Sequence, residues 1–222
     1  MDRKLNKVHI EGMERKTMGI ITISREFGSG GREIGKRLAD ELGYAYYDRE
    51  IVVAVAERHE MDENYVAFAL EGGITRTVPL HFGRTFSYSP TMMAHETKLL
   101  REQNTFLKEV AEQGNCVIVG RAADVILADY NPFKLFVCAD MASKLARCHA
   151  RAEESEKLSD KAMIKKIRQI DRDRKRYHGI ISDIPWGDRH GYHLTVNTSG
   201  RDAKSLVPLI AEYYRHWRAE QE

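Results

Sequence analysis

Residues Ile20 to Leu42 read I-I-T-I-S-R-E-F-G-S-G-G-R-E-I-G-K-R-L-A-D-E-L, and no other stretch constrains the fold as much. A short apolar run turns into a glycine-rich loop at Gly28, Gly30 and Gly31. The loop opens a segment whose apolar residues, Ile34, Leu38 and Leu42, recur at helical spacing. The order buried strand, glycine loop, helix start builds a cradle for phosphate. Backbone N–H groups that precede the first helical hydrogen bond converge there with the positive end of the helix dipole. Glycines let the chain bend and come close to an anion. A glycine turn between strand and helix also occurs in α/β proteins that bind nothing there, so the loop alone leaves both readings open.

The loop departs from the usual phosphate-binding pattern G-x-x-x-x-G-K-[ST]. Aligning its second glycine with Gly30 puts Arg25 at the first glycine, Gly31 at the lysine and Arg32 at the Mg²⁺-binding hydroxyl.

The chain has 222 residues, enough for one large α/β domain or two small ones. A formal net charge of +2 gives no bulk argument for nucleic acid. Cys116, Cys138 and Cys148 form no metal or redox spacing; two lie in strand-like apolar runs, as expected of buried thiols in a reducing cytoplasm. No apolar run approaches the ~18 residues that would mark a membrane span. The first 18 residues are mixed and charged without a signal-peptide core and read as a tail, with one domain over 19–222.

Apolar runs at Ile20–Ser24, Cys116–Gly120, Phe133–Ala139 and Tyr192–Asn197 predict strands, and Ala45–Asp48 is a fifth candidate. Three are nearly continuous in apolar residues, as in parallel strands covered on both faces; the last alternates and suits a sheet edge. Helix-period segments between them predict βαβ units in a doubly wound parallel sheet. Helices are expected over Glu50–Glu60, Thr91–Gln113 (ended by Gly114) and Ser159–Tyr177 with Ser159 or Asp160 as N-cap. A C-terminal helix is expected to bury Leu206, Ile210, Tyr213 and Trp217, with Pro208 near its first turn or at a kink. Gly72–Pro90, rich in Gly, Pro, Ser and Thr, is the best candidate for a mobile loop or small inserted subdomain.

The Ser159–Tyr177 segment has two faces. Met163, Ile167 and Ile170 form an apolar stripe; Lys161, Lys165, Arg168, Arg172 and Arg176 form a basic one, with Asp171 and Asp173 interleaved. Upstream, Arg147 and Arg151 lie one helical turn apart. Arginine forks beside a phosphate loop stabilise the charge that phosphoryl transfer spreads over the moving group. The same stripe also reads as a solvated helix face with i,i+4 charge pairs. Gly120-Arg121 closes the strand C-V-I-V, so Arg121 falls at the carboxyl end of the sheet, where ligands of open α/β folds lie. A strand-end arginine can equally pair with a carboxylate.

Together these segments resemble the cytidylate kinase-like branch of the P-loop nucleoside monophosphate kinases. S-R-E-F-G-S-G-G-R-E-I-G at Ser24–Gly35 is similar to that branch's modified phosphate loop, and V-I-V-G-R-A-A-D at Val117–Asp124 to its strand ending in D-G-R. F-K-L-F-V-C-A-D at Phe133–Asp140 is similar to its next strand. D-R-D-R-K-R at Asp171–Arg176 resembles its lid-following R-D-x-x-D-x-x-R region, and H-L-T-V-N-T-S at His193–Ser199 its last strand. The resemblance implies a three-layer α/β/α P-loop fold with a parallel five-stranded sheet, a helical acceptor-binding insertion at about 50–113 and a short lid at about 151–160. It also implies ATP as donor, Mg²⁺ and small nucleotides as ligands, no membrane or nucleic-acid partner, and a cytoplasmic enzyme. By resemblance, Gly28, Ser29, Gly30 and Gly31 wrap the donor phosphates. Arg121 contacts the acceptor's phosphate. Asp48 opens the acceptor region, and Arg172, Asp173 and Arg176 face the acceptor, the aspartate reading an exocyclic amine. Arg147 and Arg151 are lid arginines. The departures are Gly31 for lysine, Arg32 for the hydroxyl, Val119 for the D-G-R aspartate and Ala122 for a further acid. Arg25, Arg32 or Lys36 could restore the lost positive charge, and Asp124 or Asp140 could approach a metal through water.

The expected function is a kinase that moves the γ-phosphoryl of ATP to a nucleoside monophosphate, CMP or dCMP foremost. The alternative is a degenerate homologue that senses a nucleotide or other phosphorylated ligand without catalysis. A nucleic-acid-binding role for the basic stripe is disfavoured by the near-neutral charge and the absence of interleaved aromatics. Trp186 reads as a loop plug, Tyr44, Tyr46 and Tyr47 as core, and the nine histidines show no metal spacing.

Overall fold

The computed structural model describes residues 19–63, 66, 90–152 and 158–221. The N-terminal tail, the Gly72–Pro90 segment up to Ser89, and the core of the expected lid at 153–157 lie outside the described residues.

Five strands form one parallel sheet in the order β2-β3-β1-β4-β5: β1 (Ile20–Arg25), β2 (Ala45–Tyr47), β3 (Cys116–Val119), β4 (Phe133–Cys138) and β5 (Leu194–Asn197). β1 is central, in register with β3 from Ile20↔Cys116 and with β4 from Ile21↔Phe133. Its first four residues are all buried, as are all four of β3, because both faces are covered. The alternating Y-H-L-T-V-N run does lie at the edge, as β5.

Strand pleating sends alternate residues to two cores. Ile21, Ile23, Val117 and Val119 meet Ile34 and Leu38 of α1 (Gly31–Leu42) and Val207, Ile210 and Tyr214 of the C-terminal helix α7 (Ala203–Ala219). Ile20, Cys116 and Ile118 meet Ile51 of α2 (Glu50–Arg58), Leu107, Val110 and Ala111 of α3 (Pro90–Gln113), and Ala123 of the short α4 (Ala123–Ile126). β1 therefore leaves the sheet toward one face and β3 toward the other. The crevice between their carboxyl ends is the topological switch point where this architecture places a ligand.

Two further α-helices lie among the described residues, α5 (Met141–Arg151) and α6 (Asp160–Ile181). Ser159 caps α6, its Oγ accepting from the Ala162 N–H, and the helix runs past the expected end at Tyr177 to Ile181. One expectation needs correcting. The buried face of α7 is Ala203, Val207, Ile210, Ala211 and Tyr214, whereas Tyr213 is 45% exposed and Leu206 and Trp217 are only partly buried. Ile210 belongs to both stripes, but the helix is rotated by about one residue. The rotation lets the Tyr214 ring pack edge-on to Phe133 while the Tyr213 hydroxyl reaches the His193 carbonyl at the rim. Pro208 lies inside the helix, in its second turn.

Candidate active site

The loop after β1 is held by hydrogen bonds from its own backbone, from β4 and from α6. The Glu26 N–H donates to Val137 O, the Phe27 N–H to Asp171 Oδ1 at 2.7 Å, and the Ser29 N–H and Oγ both to Glu26 O. Gly28 and Gly30 take left-handed φ of 77° and 86°, which turns the chain into α1 without a Cβ penalty. The first bond into α1 runs from the Ile34 N–H to Gly30 O, so the amides of Gly31, Arg32 and Glu33 come before it with no intrahelical acceptor. Ser29 is fully buried, and its carbonyl accepts from Thr198 Oγ1 at 2.6 Å, which ties the loop to the end of β5.

Arginines gather beside the loop. Arg25, at the end of β1, lies 3.6 Å from Asp48 Oδ1 with 15% of its side chain exposed; Asp48 also holds Arg32 through Oδ2. Desolvation pushes the Arg25 pKa down to about 9, helped by Arg174, Arg121 and Arg32, and only Asp48 opposes it. Arg25 thus lies within electrostatic reach of three other guanidinium groups and one carboxylate.

β3 ends in an unusual turn. Gly120, Arg121 and Ala122 are consecutively left-handed, with φ of 79°, 59° and 50°. For the two non-glycine residues that conformation stores roughly 1–3 kcal/mol each, a cost that persists where surrounding structure over-determines the backbone. The turn keeps Arg121 within electrostatic reach of both Arg25 and Tyr177.

Beneath the loop lies a buried polar layer. Lys144, on α5, is 5% exposed and bridges Glu26 Oε2 at 2.8 Å and Asp171 Oδ2 at 3.2 Å. Burial raises the Asp171 pKa, opposed by the Phe27 amide, Lys144 and Arg174. Arg174 donates to Arg25 O at 2.9 Å. Further along α6, His178 Nε2 lies 2.9 Å from Asp124 Oδ2, and the Ser24 hydroxyl donates to Asp124 Oδ1 at 3.3 Å. Burial, followed by the Asp124 charge, pushes the neighbouring Tyr192 hydroxyl up to about 12.

The profile of the cytidylate kinase-like family matches residues 20–200. The chain belongs to that family. No match was found among curated proteins. Among solved structures, an uncharacterized protein from Eubacterium ventriosum ATCC 27560 is 25% identical at a TM-score of 0.65, covering 89% of this chain and 98% of that one. A shikimate kinase from Bacteroides thetaiotaomicron shares the fold at 16% identity and a TM-score of 0.56, over 89% of this chain and 99% of its own. A gluconokinase from Sinorhizobium meliloti 1021 does so at 14% identity and a TM-score of 0.50, over 93% and 97%. The fold is therefore that of P-loop kinases, with the parallel five-stranded sheet expected from the sequence.

In this cytidylate kinase-like chain the structure brings Gly28–Gly31, Arg25, Arg32, Asp48 and Arg121 to one crevice. Arg147 stands beside the loop, but its guanidinium is directed at three main-chain carbonyls: Gly28 at 3.4 Å, Thr198 at 2.5 Å and Arg201 at 2.9 Å. These bonds clamp the loop to the β5–α7 turn. Arg151 pairs with Glu33 in the first turn of α1. Lys36 stands apart on the exposed side of α1, 5.8 Å from the centre of the Tyr46 ring. Arg172 and Asp173 are engaged with Gln169 of their own helix, and the exposed Arg176 lies on that same outer face. Asp140 caps α5 through the Ser143 N–H.

The sequence reading missed Lys144, Glu26, Arg174 and the inward role of Asp171. A signal for the last two was available. Continuing the apolar stripe Met163, Ile167, Ile170 at helical spacing leads to Asp171, Arg174 and His178. Polar residues that extend a buried stripe are the ones that face the core.

A nucleotide's phosphates suit this crevice, which offers amides at a helix start and guanidinium groups. A protein-held Mg²⁺ does not. Arg32 takes the hydroxyl position, Asp48 is shared by two arginines, and Asp124 is engaged by His178 and Ser24. Among the described residues no group of three or more His, Cys, Asp or Glu is placed to hold a metal.

Proposed function

We propose that this protein is a nucleotide-dependent kinase that transfers the γ-phosphoryl group of ATP to a nucleoside monophosphate, with CMP or dCMP as the preferred acceptor. The observation that carries this reading is the buried Arg25 set among Arg32, Arg121 and Arg174 with Asp48 as the opposing charge, at the mouth of a glycine loop that opens a helix. Family membership supports phosphotransfer. The choice of acceptor rests on the resemblance of Asp171–Arg176 to the acceptor-reading segment of cytidylate kinases.

In this reading the Gly28–Gly31 amides hold the donor's phosphates. Arg25 and Arg32 neutralise the transferred group, and Arg121 orients the acceptor's phosphate from the carboxyl end of β3. Arg151 approaches from the end of α5, and Arg147 fixes the loop's shape. Asp48, Arg172, Asp173 and Arg176 serve the acceptor. Such a site works by alignment and charge neutralisation, with little covalent chemistry from the protein.

A coupled assay with ATP across CMP, dCMP, UMP, AMP and GMP tests the proposal. Turnover highest on CMP or dCMP is the expected result, and no turnover on any monophosphate removes it. The second reading, a ligand sensor without catalysis, is favoured by Gly31 and Arg32 standing where the loop's lysine and hydroxyl belong. Calorimetry separates the two, because ATP binding without turnover is the sensor's signature.

A further inference from the structure

The loop has lost its lysine, and the geometry shows what stands in the way of putting it back. A Cβ built on Gly31, the lysine's position, would lie 2.6 Å from Arg25 Cβ and 3.0 Å from its Cγ. Real Cβ atoms do not approach that closely, so a side chain at position 31 and an arginine at position 25 exclude one another. The Arg25 stem then carries its guanidinium across to the end of β3. A Cβ on Gly120 would lie 1.7 Å from Nη1 and 2.6 Å from Cζ, so glycine there lets the guanidinium lie against the backbone at the end of β3, and a larger residue would make it swing away. Arg25, Gly31 and Gly120 thus form one steric set, with the guanidinium lodged between the phosphate loop and Gly120-Arg121. Its carbonyl accepts from Arg174 and its charge lies 3.6 Å from Asp48.

We propose that Arg25 is the phosphate-binding cation of the loop, relocated from the helix start to the strand end, and that Asp48 is its place-holding counter-ion. Without ligand, Asp48 holds Arg25 and Arg32 together. The terminal phosphoryl group of a nucleoside triphosphate takes both guanidinium groups over from it. This rests on reading the loop as a phosphate site and names the residue that performs the lysine's task there. A planar fork in this position meets two phosphate oxygens with a fixed bidentate geometry, whereas an ammonium acts as a point charge.

The experiment is calorimetric titration with inorganic triphosphate and with ATP, on variants whose fold is checked by circular dichroism. Arg25→Met weakens binding of both by roughly 10- to 100-fold, the range for losing charge-assisted hydrogen bonds. The double variant Arg25→Gly/Gly31→Lys, which removes the Cβ that a side chain at position 31 would meet, recovers most of that loss. Gly31→Lys with Arg25 kept binds as weakly as Arg25→Met and melts at a lower temperature. Asp48→Asn, which removes the competing carboxylate, binds triphosphate more tightly than the parent. Folded Arg25→Met that binds as tightly as the parent overturns the proposal, and so does Asp48→Asn that binds no better. If Arg25→Met does not fold, the Asp48→Asn result decides alone. A parent protein that binds neither triphosphate nor ATP is a different failure, because it removes the phosphate-site reading itself.

Discussion

The two faces of α6 carry the same kinds of residue to opposite ends. On the inner face, Asp171, Arg174 and His178 are each committed to the loop and strand ends: to the Phe27 amide and Lys144, to the Arg25 carbonyl, and to Asp124. On the outer face, Arg172 and Asp173 bond to Gln169, and Lys161, Lys165, Arg168 and Arg176 are exposed. An aspartate and an arginine three residues apart are structure on one side, while a similar set a residue or two along is surface. The difference lies in desolvation. A buried charge must be paired and hydrogen-bonded, so the inner residues hold fixed partners. The outer ones can exchange theirs for a ligand at little cost.

The largest effect should come from breaking the inner layer at Lys144. Lys144→Ala leaves Glu26 and Asp171 facing each other beneath the loop without their cation. Removing one partner of a buried ion pair typically costs about 3–5 kcal/mol. Urea unfolding should show that drop, and a loss below ~1 kcal/mol would mean that water replaces the ammonium and the layer is not buried as described. His178→Ala comes next, at about 1–3 kcal/mol, because Asp124 then keeps only Ser24 and Tyr192 beside it. His178→Asn, which can still donate toward Asp124, should recover part of that loss in the same measurement.

The contrast between the faces also marks what the sequence makes legible. The sheet was readable because β1, β3 and β4 are continuous apolar runs, and no other element buries both faces of a short segment. The crevice was readable from Gly28–Gly31 and Gly120-Arg121, since strand ends and helix starts fix where those backbones meet. The inner residues of α6 were not, because charged side chains were counted as surface when their helical phase put them inside. The outer stripe, with five cations in step, is the more conspicuous pattern, and the acceptor roles on it come from the family resemblance. The Arg25–Gly31 exclusion was invisible for another reason: only three-dimensional proximity shows that a missing side chain and a misplaced one occupy the same space.

Arg25 offers a comparison within one residue, its charge with and without an anion. It is a base whose pKa falls in the folded chain to about 9, well below its ordinary value. Above about 9 and below that ordinary value the unfolded chain binds more protons than the folded one, so stability rises with pH there. Below about 9 both states are protonated, and the cost of burying the cation is fully present. The expected gain is at most ~1.4 kcal/mol per pH unit above the lower value. Tyrosines and lysines titrate in the same range, so the measurement is the difference between the parent and Arg25→Met in urea unfolding from pH 8 to 10. Bound triphosphate should flatten that difference, because the anion favours the charged arginine. A parent and variant with parallel pH curves would show that Arg25 carries no such penalty.

The smallest effect on stability is expected on the outer face, and there the proposed function is most exposed. Arg172→Ala and Asp173→Ala, alone or together, should change unfolding free energy by no more than about 0.5 kcal/mol, as for surface substitutions that leave no buried group unpaired. If those residues serve the acceptor, the same variants should raise KM for CMP by roughly tenfold or more, the loss of a charge-assisted contact, while KM for ATP stays near the parent value. Arg174→Ala, one residue further along and on the inner face, should show the reverse order, with a measurable loss of stability and weaker ATP binding through Arg25. Were Asp173→Ala to leave CMP kinetics untouched, acceptor reading would have to pass to the crevice residues Asp48 and Arg121, and the outer stripe of α6 would be the solvated face that its exposure suggests.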